Sequence, residues 1–174
     1  MIGRYRLAKM SPGIRGLTYR LWGLPLLLGG IGFWQQDQLL IMVAVTLVVL
    51  FTLNGLGCRP SHIDLTSTSL HLVFPLWQRV LPLQTLLQVR LLESLGLKQE
   101  LGWAVRIGVG GLGGTFGWLW TQKRGLVEVY LSASEELVLV ERQQGFPLLI
   151  TPENLPQFVQ DLERLIAQNE LLKR

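Results

Sequence analysis

Two apolar runs in the first third of the chain constrain its fold more than any other feature. Leu17 to Trp34 (LTYRLWGLPLLLGGIGFW) and Leu39 to Gly57 (LLIMVAVTLVVLFTLNGLG) are separated only by Gln35, Gln36, Asp37 and Gln38. A bilayer core about 30 Å thick is crossed by about 17–25 apolar residues at about 1.5 Å rise. In lipid, a helix lets one segment satisfy its own backbone groups. The runs therefore predict a transmembrane helical hairpin over 17–57. A basic arm over 1–16 precedes it, and one further domain over 58–174 follows it.

Charge is distributed to match. Of the 16 Lys and Arg, six lie in residues 1–59 (Arg4, Arg6, Lys9, Arg15, Arg20 and Arg59) against a single acid, Asp37. Positive residues flanking short spans stay on the cytoplasmic side, so these six are expected to set topology and anchor the hairpin. Both termini and the domain would then face the cytoplasm, at an inner or thylakoid membrane. Arg20 lies near the helix end, where it can snorkel beside Tyr19 and Trp22. A cleaved leader would need a small-x-small site after Gly32, and the second apolar run follows instead. Neither run carries the acid or His residues of an ion path. The remainder of the chain holds ten basic and eleven acidic residues, which leaves no basic stripe for nucleic acid. Cys58 stands alone and cannot form an internal disulfide.

After Arg59-Pro60 the pattern changes to short alternating runs. Ile63 and Leu65, then Leu70, Leu72 and Phe74, then Trp77 to Leu81 have the period of two expected of strands. Residues 85–95 and 101–107 read as further strands. Three more are expected at 126–133, 137–142 and 146–150, the last two joined at Gln143-Gln144-Gly145 as a hairpin. Thr151-Pro152-Glu153-Asn154 is a helix-start signal, with Thr151 or Asn154 as cap. Phe158, Val159, Leu162, Leu165 and Ile166 then share one helical face. The outline is a membrane-anchored α+β chain, a bent antiparallel sheet or barrel capped by a C-terminal helix.

Between the strands lies GVGGLGGTFGWLWTQKRG. Thr115, Phe116, Gly117 and Trp118, then Tyr130, then Ile150, Pro152 and Phe158 occupy the positions of recurring features in bacterial pleckstrin-homology-like domains, and the last 70 or so residues resemble those domains. The resemblance implies a seven-stranded, strongly bent sheet closed by one helix. Phosphoinositide-binding relatives cluster Lys and Arg around the first strand turn, whereas Phe74 to Arg79 here has Arg79 alone.

Gly108, Gly110 and Gly113 satisfy G-x-G-x-x-G, but a dinucleotide site needs a helix opening there, and no room for one precedes the strand at Leu126. His62, His71 and Cys58 lack ligand spacing, and no nucleophile elbow is present. No metal, cofactor or catalysis is expected. The glycines are expected to bend the backbone so that Phe116, Trp118 and Trp120 close the barrel. Alternatively these rings, with Lys123 and Arg124, contact a lipid surface or a partner. The expected function is a tethered, non-catalytic module that binds an integral membrane protein and aids assembly or stability of a membrane complex. In organisation the chain resembles assembly factors of photosynthetic membrane complexes. The alternative is a sensor of anionic lipid or membrane stress.

Overall fold

The computed structural model of the chain describes residues 2–172. Its first sheet begins before the helical hairpin, with β1 (Gly3–Arg6) antiparallel to β2 (His62–Leu65), Tyr5 opposite Ile63 and Arg6 opposite His62. Strands β3 (Ser69–Val73) and β4 (Gln78–Pro82) complete the order β1-β2-β3-β4. Residues 3–6 of the expected basic arm are thus part of the folded β-structure, and the helices are an insertion between its first two strands. Arg4, expected as a topology residue, instead donates to both oxygens of Asp64, at 2.8 and 3.1 Å. Tyr5 is buried edge-on against Phe158, with ring centroids 5.0 Å apart, and its hydroxyl donates to Asp161. Burial, reinforced by that carboxylate, pushes the Tyr5 hydroxyl up to about 12, so it stays a donor at neutral pH. The connection to the first helix is also tied down. Ala8 N–H donates to Thr151 O at 2.8 Å, and Ser132 Oγ donates to Ala8 O at 2.7 Å.

The insertion is α1 (Pro12–Gln35) and α2 (Gln38–Cys58), packed antiparallel. Gln36 takes a left-handed conformation and Asp37 caps α2, its carboxylate accepting from Leu39 N–H at 2.9 Å. Of the two expected spans, one meets the requirement by length and composition. That helix is α2, with a mean hydropathy of 2.5 and only 6% of its span buried within the protein. The expectation of two such spans is corrected for α1, where Arg15, Arg20, Pro25 and the glycines dilute the apolar character. Small residues set the helix contact. A Cβ on Gly32 would lie 2.9 Å from Leu40 Cβ and 3.0 Å from Ile41 N, whereas one on Gly30 meets nothing within 4 Å. Gly32→Ala is therefore expected to destabilise the hairpin by about 1–3 kcal/mol and Gly30→Ala to leave it within error, as read by thermal unfolding in detergent.

The second sheet has the order β5-β9-β10-β8-β7-β6. Its strands are β5 (Leu86–Glu93), β6 (Ala104–Gly110), β7 (Thr115–Thr121), β8 (Gly125–Leu131), β9 (Glu136–Arg142) and β10 (Leu148–Ile150). β9 and β10 form the expected hairpin, while β10 runs parallel to β8. The described residues form ten strands in two sheets, against the seven that the resemblance implies; beyond the eight alternating runs of the sequence, the glycine-aromatic stretch contributes β7 and the N-terminus β1. A helix absent from the sequence reading, α3 (Ser94–Leu101), follows β5. Buried side chains form two cores. Tyr5, Leu65, Leu72, Phe116, Tyr130 and Ile150 lie in the first, under the C-terminal helix α4 (Leu155–Leu172) through Phe158, Leu162, Leu165 and Ile166. Val127, Val129, Leu137, Leu139 and Leu149 lie on the opposite face of the second sheet with Leu101 of α3. Alternation in β8 and β9 thus serves two buried faces, which is why both strands read as continuous apolar runs.

Hydrogen bonding from Arg4 holds the Asp64 carboxyl below its ordinary range. A carboxylate depressed in the folded state contributes stability above its unfolded value and loses it as pH falls through the lowered folded value. Acidification is thus expected to loosen β1 through this pair, and Asp64→Asn to abolish that component of the pH dependence. Exchange protection of the 3–6 amides, corrected for intrinsic rate, reads both.

Candidate functional site

The expected glycine-aromatic loop is a β-hairpin. β6 and β7 pair with Val105 opposite Trp120, Ile107 opposite Trp118 and Val109 opposite Phe116. Their turn closes with Gly111 N–H donating to Gly114 O at 3.0 Å. Gly114 has φ +156, and a Cβ there would lie 2.2 Å from Leu131 O, so only glycine fits. The turn docks on α1. Thr18 Oγ1 donates to Gly111 O at 2.7 Å, and Gly113 N–H donates to Thr18 Oγ1 at 2.9 Å. A Cβ on Gly111 would lie 3.0 Å from Leu21 Cδ1 and 3.1 Å from Leu17 Cδ2. The glycines therefore serve a close approach to the inserted helix. No helix follows them, so the G-x-G-x-x-G spacing forms no nucleotide loop.

The five expected contact residues part company. Phe116 is 1% exposed and belongs to the first core, so it contacts neither lipid nor partner. Trp118 is half-buried, edge-on to Phe146 at 5.2 Å. Trp120 is 45% exposed and edge-on to Trp103 at 6.1 Å. The two basic residues are engaged elsewhere. Lys123 Nζ donates to Gln99 O at 2.6 Å. Arg124 donates to Glu141 at 2.8 Å and Glu100 at 2.6 Å. These carboxylates, Glu141 first, raise the Arg124 guanidinium above its ordinary value, and Arg124 in turn lowers Glu100. The pair fastens α3 to the sheet, and the guanidinium, a candidate for lipid or partner contact, is engaged by carboxylates.

Strand register assembles what the sequence reading missed. Trp103, at 65% exposure, Val105 and Ile107, at 53%, share a face with Trp118 and Trp120, and Phe146 extends it. The sequence pattern marks 101–107 as a strand but does not say which of its faces is open. Further along the same sheet face Phe116 and Tyr130 are buried in the first core. At β6 and β7 that cover ends, and an aromatic surface remains open on the terminal strand pair. Exposed apolar surface of this kind marks interaction sites.

A buried charge cluster separates core from open face. Glu128 is 1% exposed and lies opposite Trp118. It pairs with Arg79 from the first sheet and with Arg142, at 3.1 Å, and it accepts from Tyr130 Oη at 2.7 Å. Burial lowers the Arg142 guanidinium from its ordinary value, and burial followed by the Glu128 charge raises the Tyr130 hydroxyl. Arg142 also donates to Phe146 O, which ties the cluster to the aromatic face. Elsewhere, Asp64 lies 3.5 Å from His62 and opposite His71, so strand pairing collects histidines that sequence spacing kept apart. Among the described residues no group of three His, Cys, Asp or Glu is placed to hold a metal ion.

Two sheets packed on a shared core under a C-terminal helix, with a second core on the far face of the larger sheet, constitute a pleckstrin-homology-like architecture. Residues 65–166, more than half of the chain, match the family described as Bacterial PH domain, and the chain belongs to that family. No curated protein and no solved structure matches it. The matched region excludes β1 and both inserted helices. Glu128→Gln is expected to strand two arginines without their counter-charge and to cost about 3–5 kcal/mol, measured by denaturant unfolding in detergent.

Proposed function

We propose that this protein is a membrane-anchored, non-catalytic binding module whose β6–β7 face docks on the cytoplasmic surface of an integral membrane protein and aids assembly or stability of that complex. The observation that carries the reading is the uncovered aromatic face of Trp103, Val105, Ile107 and Trp120 on a terminal strand pair. Its turn is fixed on α1 through Thr18. At about 3.3 Å per residue the whole face lies within about 25 Å of that contact, so a partner sharing the bilayer is within reach. Trp residues are also the usual anchors of protein interfaces.

Membrane anchoring is supported by α2, whose apolar surface is almost wholly uncovered by protein. β1 precedes α1 and pairs with β2, which follows α2, so both ends of the hairpin lie on one side. The unpaired cations at those ends favour the cytoplasmic side.

Trp103→Ser with Trp120→Ser is expected to weaken partner recovery about 30-fold, corresponding to about 2 kcal/mol for an interface anchor, while leaving the unfolding midpoint nearly unchanged. A photo-reactive residue at position 120 is expected to yield a membrane-protein adduct that one at position 164 does not. The second reading, a lipid-facing surface, is favoured by the indoles and by the turn's contact with α1. Adducts formed with lipid alone at position 120 would replace the first reading with the second.

A further inference from the structure

We infer that the junction between the inserted hairpin and the β-domain is a binding site for an anionic glycerophospholipid, its phosphate held by Arg6 and Arg59. The pattern of ion pairing points there. Arg4 is paired with Asp64, Arg79 and Arg142 with Glu128, and Arg90 and Arg124 with Glu100 and Glu141. Among the described residues Arg6 and Arg59 have no such partner, yet both line one cavity of 360 Å³ with Gly55, Pro60, Ser61 and Pro75. No carboxylate lines it. Arg6 also borders a separate cavity with Glu153 and Asp161 but forms an ion pair with neither, and Glu153 meets it through the backbone, its N–H donating to Arg6 O at 2.7 Å. Two arginines bordering one cavity with no carboxylate in its lining leave positive charge uncompensated there, which an anion would neutralise. Phosphate oxygens match the guanidinium donor fork.

Both arginines are placed by the fold. Arg6 ends β1 where the chain enters the insertion, and Arg59 follows α2 where the chain leaves it. Arg59 lies along the glycine turn, where a Cβ on Gly113 would come 3.2 Å from Arg59 Nη1. That turn is the one held by Thr18.

A second cavity, of 370 Å³, shares Arg59 and Gly55 with the first. It is lined mainly by apolar groups, among them Met10, Trp22, Phe51, Leu56 and Leu112, and by no carboxylate. Trp22 and Phe51 meet edge-on at 5.6 Å, bridging α1 and α2. A basic cavity and an apolar cavity joined at one arginine, at the base of an apolar helix, have the polarity of an anionic lipid. The apolar cavity decides between a phosphodiester carrying acyl chains and free phosphate, which would leave it unfilled. The residues are distinct from the β6–β7 aromatic face, and the two sites can be tested separately.

The test uses the full-length protein in nanodiscs of equal phosphatidylglycerol and phosphatidylcholine, with retained lipids counted by native mass spectrometry. Phosphatidylglycerol is expected to be enriched on the unmutated protein. Arg6→Gln with Arg59→Gln is expected to reduce that enrichment about 30-fold, the scale of two lost phosphate contacts. Arg106→Gln with Arg164→Gln removes the same charge at arginines that line neither cavity, and is expected to leave the enrichment intact. Leu112→Trp, which fills the apolar cavity, is expected to lower lipid retention without changing the binding of inorganic phosphate. Trp120→Ala is expected to leave lipid retention unchanged whatever it does to partner binding. The inference is overturned if the unmutated protein shows no preference for phosphatidylglycerol, a result that depends on no variant's folding. It is also overturned if the junction variant retains as much as the Arg106/Arg164 variant, or if inorganic phosphate displaces the lipid and Leu112→Trp has no effect, which would assign the cavity to a free anion.

Discussion

The antiparallel pairing of Gly3–Arg6 with His62–Leu65 is the constraint on which the rest of the molecule depends. It joins strands separated by the entire helical hairpin, so the ends of α1 and α2 cannot move independently of the β-domain. Tyr5 makes the pairing worth forming. Its ring contributes to the first core and its hydroxyl reaches Asp161 on α4, so the strand before the insertion is fastened to the last helix of the domain. The connections are brief, with residues 7–11 strapped to Thr151 and Ser132 and residues 59–61 leading directly into β2.

A second clamp is made by the β6–β7 turn, which accepts from and donates to Thr18. Two separate attachments fix orientation as well as position. Tethering by a flexible linker would raise local concentration alone. Here the aromatic face of β6 and β7 is also held at a set angle to the helices, so ordering a linker adds no entropic cost to a docking partner. The ion pairs follow the same division. Arg79, Arg90, Arg124 and Arg142 are neutralised by the domain's own carboxylates, whereas Arg6 and Arg59 at the hairpin base are left for whatever surrounds the helices.

Much of this was legible in local sequence patterns. The apolar runs mark α1 and α2, the alternation of Ile63, Leu65, Leu70 and Leu72 marks β2 and β3, and the spacing of Phe158, Leu162, Leu165 and Ile166 marks the buried face of α4. What escaped reading depends on contacts distant in sequence. A four-residue strand containing two arginines resembles an anchor until Asp64 is placed opposite Arg4. Phe116 and Trp120 have the same parity, and only the point where the core ends separates the buried ring from the exposed one. Lys123 and Arg124 resemble a lipid-binding pair until α3, itself too short for a clear helical period, brings Gln99 and Glu100 beside them. The aromatic face required the register of β6 against β7, which no single-strand pattern contains.

The position of the insertion imposes an order of assembly. β1 is synthesised before its partner strand, which does not exist until both helices have been made, and Tyr5 has no Phe158 to pack against until α4 has been made. The first sheet can close only when the segments before and after the hairpin lie in the same compartment. A hairpin inserted with one end on the wrong side would leave β2 as an unpaired edge and the Tyr5 site open. Completion of the fold is therefore a readout of whether the two ends of the insertion lie together, and a chain in which they are kept apart would display the exposed edge and apolar hollow by which quality-control proteases recognise unfinished proteins.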